Sequence, residues 1–316
     1  MSTLAIRTLR GDDLPVIRDI WNRALPRDPI TIDRFVRGVL CDPDYQAGAA
    51  KGDSGFFVAT RDGAPVGFLR AVVRHVPNEG LGLEPELGWL PVVAVDPPHQ
   101  RSGVGTALME AALEFFRRHG RRRIWVCGNS GSAPGYVFPG VDVDVYAGGV
   151  ALLQRHGFEI DREAVAMSRE VVSFYPEVFG RDLPPAPDLT IETLTPARVD
   201  AFFAFLGREF PGDWNTAARA RIRAGGMGDV LIARQGDTVV GYCQWEGEHF
   251  GPFGVSASLR GRQVGARLFI ESVRRIREAD GRTVWFNWAD PGAARFYARF
   301  GLTPTRRFAV MRKDLA

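Results

Sequence analysis

The sequence predicts an α/β protein of the α+β, mixed-sheet kind, built as two tandem copies of one domain. Three observations predict it. LAIRTLRGDDLPVIRDIW from Leu4 resembles LTIETLTPARVDAFFAF from Leu189, and FFVATRDGAPVGFLRAVV from Phe56 resembles VLIARQGDTVVGYCQW from Val230. VVAVDPPHQRSGVGTALMEAALEFFRRHG from Val92 matches FGVSASLRGRQVGARLFIESVRRIREADG from Phe253, with Gly105 and Gly265, and Trp125 and Trp285, both 160 residues apart. Between the copies, FYPEVFGRDLPPAPD (Phe174 to Asp188) holds four prolines and no apolar period, the mark of a linker. The predicted division is therefore 1–173, a linker over 174–188, and 189–316. A chain of 316 residues suits two such domains.

Each copy opens on an alternating strand, then a turn with helix-starting residues, then an amphipathic helix. Two strands follow around an Asp-Gly turn in the first copy and a Gly-Asp turn in the second. The apolar strand PVVAV then feeds a glycine loop that opens a helix, on which Val104, Leu108, Ala112 and Phe115 share one face. The arginines of RRHGRRR (Arg117 to Arg123) suit that helix's C-terminus. The copies close with IWVC or its counterpart, then QRHGF (to Phe158) or YARFGL (to Leu302), then a last strand. One stretch has no counterpart. Trp125 to Gly157 spans 32 residues where Trp285 to Gly301 spans 16, so SGSAPGYVFPGVDVDVY (130–146) is an insertion peculiar to the first copy. Long loops of this kind are more often functional than decorative.

Composition excludes several classes. An apolar fraction of 45% and a charged fraction of 24% are ordinary for a globular protein, and a net charge of +3 gives no reason to expect nucleic acid. Cys41, Cys127 and Cys243 are far apart and show no CxxC spacing, which argues for a reducing compartment and against a disulfide or zinc framework. No run of about 18 apolar residues and no signal-peptide core is visible, so a cytoplasmic protein with no membrane partner and no metal is expected.

The segment from Gln100 to Thr106 (QRSGVGT) places a strand, a glycine loop and a helix N-terminus in sequence. Such a helix end presents unpaired N–H groups and a favourable dipole to an anion. Gly103 and Gly105 leave the backbone uncovered. There is no G-x-x-x-x-G-K-[ST] and no G-x-G-x-x-G after a strand, so neither the Walker nor the Rossmann phosphate loop applies. The pattern [Q/R]-x-x-G-x-[G/A] after a V-x-V-x-P-like strand, with this order of elements, resembles the acyl-CoA loop and fold of the GNAT acetyltransferases. The likeness runs through nearly the whole chain, twice. Tandem members of that family, the mycothiol synthase type among them, share the layout, with no substrate implied.

The resemblance implies an acetyl-CoA-dependent N-acetyltransferase that moves an acetyl group directly to a primary amine of a small molecule or peptide. It implies a coenzyme site made by Val93, Ala94, Val95, Gln100, Arg101, Ser102, Gly103, Val104, Gly105, Thr106 and Asn129, with the acetyl group where the fourth and fifth strands splay, near Val93 and Trp125. In such enzymes a tyrosine four residues before the late glycine is often the general acid. The second copy has Tyr297 there; the first has Leu153. Tyr136 and Tyr146, in the insertion, are the first copy's substitutes, and Glu86, with Glu84 behind it, is its candidate base. Glu246, Glu248 and His249 hold the corresponding neighbourhood in the second copy. Asp142 and Asp144 are candidates to bind a cationic acceptor. The second copy's loop has Gln263 where the first has Gly103, so the first copy is expected to hold acetyl-CoA. Two alternatives stay open: catalysis in the second copy through Tyr297, or a non-catalytic CoA-binding scaffold. A monomer or homodimer fits either.

Overall fold

The structure is a computed structural model that describes residues 3–46, 54–78, 80–128 and 133–315. The first repeat lays down β1 (Leu4–Thr8), α1 (Leu14–Ala24), the short α2 (Ile32–Phe35), β2 (Phe56–Arg61), β3 (Ala64–Val72), β4 (Leu87–Val95), α3 (Val104–Arg118), β5 (Arg123–Val126), the two-residue β6 (Val141–Asp142), α4 (Ala147–Arg155) and β7 (Glu159–Glu170). After α5 (Pro176–Gly180), the second lays down β8 (Leu189–Thr193), α6 (Val199–Glu209), α7 (Asp213–Arg223), β9 (Val230–Gln235), β10 (Thr238–Glu246), β11 (His249–Val255), α8 (Val264–Glu278), β12 (Thr283–Ala289), α9 (Pro291–Ala298) and β13 (Thr303–Asp314).

The chain forms two compact units, and their bounds are not those of the repeats. Unit 1 comprises Met1–Pro77, Gly82–Ala164 and Arg307–Ala316; unit 2 comprises Asn78–Leu81 and Val165–Arg306. In unit 1 the strand order is β1-β2-β3-β4-β5-β13, with β6 also on β13. In unit 2 it is β7-β12-β11-β10-β9-β8. The closing strand of each repeat thus serves in the other unit: Met311 of β13 pairs with Val126, and Phe286 of β12 pairs with Met167 of β7. The sequence division at 174–188 follows the repeat; the compact units follow these pairings.

Within each unit a mixed sheet carries helices on both faces. In unit 1, α3 packs Val104, Leu108, Ala112 and Phe115 against Ala59, Leu69 and Ala71, while α1 and α2 cover the other face with Ile17, Trp21 and Phe35 on Phe56, Phe68 and Val92. Unit 2 repeats the scheme with α8 and α9 on one face and α6 on the other. The correspondence reaches single contacts. Gly67 pairs with Val95 and a Cβ there would meet Leu108 at 3.4 Å; Gly241 pairs with Val255 and a Cβ there would meet Leu268 at 3.1 Å. The Asp62-Gly63 hairpin has both residues at positive φ, 50° and 88°. After Arg117 and Arg118, α3 ends at Gly120 with φ 66°, the left-handed stop that glycine accepts at low cost.

The proline-rich stretch expected as the linker carries the short α5. Phe174 is fully buried and stacks on Phe179 of α5 with ring centroids 4.7 Å apart, and both pack into the unit 2 core. Proline count hid this, because two aromatic anchors five residues apart suffice to bind a short segment.

Because β5 is covered by β13, residues 1–173 expressed alone expose an unpaired strand edge. That fragment is expected to aggregate or to unfold at least 10 °C below the full chain, and a peptide spanning 303–316 added in trans is expected to raise its solubility, measured by light scattering and calorimetry. Burial pushes the Cys127 thiol up to about 12 and raises that of Cys243, whereas Cys41 is exposed. Alkylation at pH 8 is therefore expected to label Cys41 and spare the other two until denaturant is added, as read by intact mass.

Candidate active site

Unit 1 has an opening between β4 and β5, and its cause is local. The two strands pair in parallel from Leu87 and Arg123 to Leu90 and Val126, and Cys127 N–H donates the next bond to Leu90 O at 2.8 Å. There the ladder stops. On its other side β4 pairs with β3, with a register shift between Arg70–Val92 and Val72–Trp89 that leaves Leu90 and Pro91 as a bulge. Proline has no N–H to donate, so the bulge and the end of the parallel ladder fall at one place. Beyond it, Asp96 N–H turns toward β3 and donates to Val66 O at 2.9 Å. The period of two along a strand then turns the backbone groups of Val93 and Val95 to the edge that β5 has left. Trp125, expected at the splay, pairs with Trp89 and is only 8% exposed. The opening lies two residue positions further on, beside Pro91 and Cys127.

β4 leads directly to the loop. Gly103 caps α3 at φ 86°, ψ −10° in the left-handed region, and a Cβ there would meet nothing within 4 Å. Its glycine answers to conformation and openness rather than to crowding. Gly105 is different: a Cβ would meet Leu152 of α4 at 3.1 Å, so this glycine lets α3 and α4 approach. The first helical N–H with a helical acceptor belongs to Ala107, bonded to Gly103 O at 3.0 Å. The N–H groups of Ser102 to Thr106 reach no acceptor among the described residues. Gln100 folds its side-chain amide back on Val95 O at 3.1 Å, and the Ser102 hydroxyl donates to His99 O at 2.7 Å. Arg61, at the end of β2, donates to Ser102 O and Oγ at 3.2 and 3.1 Å. Sequence reading missed Arg61, because only the sheet brings it to a loop 41 residues later.

The second loop keeps the shape and loses a donor. Gln263 caps α8 at φ 62°, still left-handed, at a cost of about 1–2 kcal/mol for a residue with a Cβ. The side chain does not abolish the conformation, which the sequence suggested it would restrict. Arg262 N–H, however, turns inward to Leu259 O at 3.2 Å. In the first loop Ser102's hydroxyl takes the corresponding carbonyl and leaves its N–H free.

The remaining predicted residues are only partly brought together. Glu86 lies at the opposite end of β4, about 13 Å along the strand from Leu90, with its carbonyl accepting from Arg122 and Arg123 N–H. Glu84 is paired with Arg74 at 2.9 Å, and burial raises its carboxyl. Asp142 is buried and paired with Arg27 at 3.2 Å; Asp144 is paired with Arg307 at 2.5 Å, which lowers its carboxyl. Each of these pairs ties the insertion to its own unit. Tyr146 donates to Asp28 Oδ2 at 3.0 Å, at the start of α4. Tyr136 is half-buried just after Gly135, and Asn129 lies outside the described residues.

In unit 2, Tyr297 is buried among Phe250, Phe253, Phe269, Phe286 and Phe296. Burial raises its phenol, and its hydroxyl bonds to no group among the described residues. Glu248 is held by Arg282 and Thr283 N–H at 2.6 and 3.1 Å, which lowers its carboxyl; Glu246 pairs with Arg221 at 3.3 Å. His249 packs on Trp285 at 4.5 Å, and its burial favours the neutral ring. Among the described residues no cluster of three or more His, Cys, Asp or Glu is placed to hold a metal ion, and no helix is long and apolar enough to cross a membrane.

Comparison with known proteins agrees with this geometry. Residues 15–136 match the Acetyltransferase (GNAT) family, and residues 191–310 match the Acetyltransferase (GNAT) domain. The chain is 34% identical over 76 residues to an N-acetyltransferase of Methanocaldococcus jannaschii, covering 23% of this chain and 32% of that one. It is 30% identical over 135 residues to the streptothricin acetyltransferase of Streptomyces lavendulae, covering 40% of this chain and 67% of that one. Among solved structures, a GCN5-related glucosamine N-acetyltransferase region of a fungal multi-domain β-N-acetylglucosaminidase superposes with a TM-score of 0.79 at 20% identity, over 99% of this chain and 38% of that chain. A tandem GNAT protein from the clavulanic acid biosynthesis pathway superposes at 0.63 and 18% identity, over 99% and 98% of the two chains. With a match in each repeat, the chain belongs to the GNAT acetyltransferase family as a tandem, two-domain acyltransferase.

Proposed function

We propose that the protein is an acetyl-CoA-dependent N-acetyltransferase that uses the β4–α3 loop of unit 1 to hold the coenzyme and transfers the acetyl group directly to a primary amine. The observation that carries this is the joint presence of a left-handed Gly103 cap, five N–H groups without protein acceptors, and a β4 edge that opens at Pro91. Acetyl-CoA supplies an acetyl thioester. The N–H groups of Ser102 to Thr106 suit its diphosphate, with the dipole of α3 behind them. Val93 N–H and C=O and Val95 N–H are offered to the amide-bearing arm as a further strand would pair with them, while Val95 O accepts from Gln100 Nε2. Ala94, whose side chain is buried on the other side, contributes to the strand's shape only.

In this reading the neutral acceptor amine attacks the thioester carbon, a C–N bond forms as the C–S bond breaks, the nitrogen gives up one proton to solvent water, and the departing sulfur takes one proton. Holding both reactants in one cleft supplies most of the rate. The phenols of Tyr136 and Tyr146 are the candidate proton donors of unit 1, since Leu153 replaces a tyrosine on α4, and Tyr146 would first have to leave its bond to Asp28. Cys127 is no nucleophile, because its raised thiol is almost wholly protonated near neutral pH. A second reading, catalysis in unit 2 with Tyr297 as acid, is supported by the left-handed cap that Gln263 preserves. It is disfavoured by the inward turn of Arg262 N–H and by the burial of Tyr297. The relative named for streptothricin supports a small amine acceptor.

Calorimetric titration with acetyl-CoA tests the site. Gly103→Glu is expected to weaken binding at least 100-fold, and Gln263→Glu to leave the affinity within about threefold. The opposite pattern moves the coenzyme to unit 2. For the acid, Tyr136→Phe or Tyr146→Phe is expected to lower kcat by about 100-fold or more, with Tyr297→Phe within about twofold; a large loss confined to Tyr297→Phe establishes the second reading.

A further inference from the structure

Arg70 is a buried cation that is ion-paired with Asp42 but whose nitrogens make no hydrogen bond among the described residues. It lies in β3, where it pairs with Val92 of β4 and Phe56 of β2, and its side chain is 0% exposed. Nε, Nη1 and Nη2 all lack a hydrogen-bond partner. The nearest acid is Asp42, whose Oδ1 lies 3.2 Å from Nη2 as an ion pair without hydrogen-bond geometry, and Asp44 adds a further negative charge nearby. That carboxylate also holds the backbone around it: Oδ1 accepts Asp44 N–H and Oδ2 accepts Gly135 N–H, each at 3.0 Å. A guanidinium is a rigid fork of five donors matched to a planar oxyanion, and leaving it unbonded inside a protein is costly. The Tyr45 ring lies 5.8 Å away and presents its face to the guanidinium.

Its position identifies the ligand. Arg70 stands level with the first residues of β4 beyond the end of the β5 ladder, at the mouth of the opening. A Cβ built on Gly135 would meet Arg70 Nη1 and Pro91 Cγ, both at 3.0 Å, so guanidinium, bulge and insertion converge there. Val92 is about 10 Å along the strand from Val95, and further from the N–H groups that suit a diphosphate. Arg70 also lies on the sheet face that α1 and α2 cover, opposite to α3. An anion that reaches it therefore belongs to the acceptor and not to the coenzyme. The second repeat has Gln244 at the corresponding place in β10, also buried and with Oε1 unpartnered, but uncharged. The charge is a property of unit 1 alone.

We infer that Arg70 receives a carboxylate of the acceptor, so that the substrate class is an amine that also carries a carboxylate, an amino acid or a close analogue, with its amino group directed to the thioester at the β4–β5 opening. The inference rests on the reading that unit 1 holds acetyl-CoA. Gly135 closes over the guanidinium, so binding requires the segment around it to lift, with Asp42 releasing Gly135 N–H.

The test uses the full chain with acetyl-CoA and matched pairs of acceptors: amino acids, their decarboxylated amines and their methyl esters. The acid-bearing member of at least one pair is expected to have a kcat/KM at least 30-fold higher, mostly through KM. Arg70→Met is expected to shrink that ratio to within about threefold, and Arg70→Lys to leave an intermediate value, with folding checked by circular dichroism. If the amines lacking the acid are used equally well, if no carboxylate-bearing amine is used, or if Arg70→Met slows both members of a pair equally, the inference is wrong. Acetyl-CoA binding, measured calorimetrically on the same samples, separates the two failures: no binding by the parent protein defeats the proposed function, whereas binding without discrimination defeats only the role of Arg70.

Discussion

The parallel ladder between β4 and β5 ends at Leu90, and most of the chemistry of unit 1 depends on that ending. A buried strand edge with free N–H and C=O groups is unfavourable unless something pairs with it. Pro91 removes one donor, and the bulge redirects the next residues, so β4 leaves β5 and continues alone into the loop. The free edge, the left-handed turn at Gly103 and the bare first turn of α3 then follow in one line. Each is incomplete without a ligand that is extended along the edge and anionic at the loop end. A pantetheine arm ending in a diphosphate has that form.

The two units show how one frame tolerates different contents. Gly67 and Gly241 keep the same closeness to Leu108 and Leu268, and both glycine loops keep a left-handed cap, so the frame is shared to the level of single contacts. The differences are small and local: a serine hydroxyl in place of an arginine, a leucine in place of a tyrosine, a cation in place of an amide. None disturbs packing, because each lies at a loop, a helix end or a strand position where the backbone is set by its neighbours. Chemistry can thus be lost or gained in one unit while the sheet is unchanged.

Much of this was legible in the sequence. The repeat fixed the order of elements, because hydrophobic period and turn residues are local properties. The glycine loop was legible because one positive-φ position and one helix start leave a pattern within seven residues. The catalytic surroundings were not. Asp142 and Asp144 stand in a loop and look available, but Arg27 and Arg307, which neutralise them, come from distant parts of the chain. Glu86 is near Val93 in sequence but at the wrong end of a strand, and an extended chain converts a few residues into more than 10 Å. Arg70 gave no signal at all: an arginine in an alternating strand reads as solvent-facing until the helices covering that face are known.

The exchange of closing strands has a consequence for how the protein is made. Met311 pairs with Val126, which precedes it by 185 positions, so β5 waits for its neighbour while the whole second repeat is synthesised. At ordinary elongation rates that is roughly 10–40 s, long compared with the folding of a small domain. The nascent first repeat therefore emerges from the ribosome with an unpaired hydrogen-bonding flank on β5 that stays open until the last strand is made.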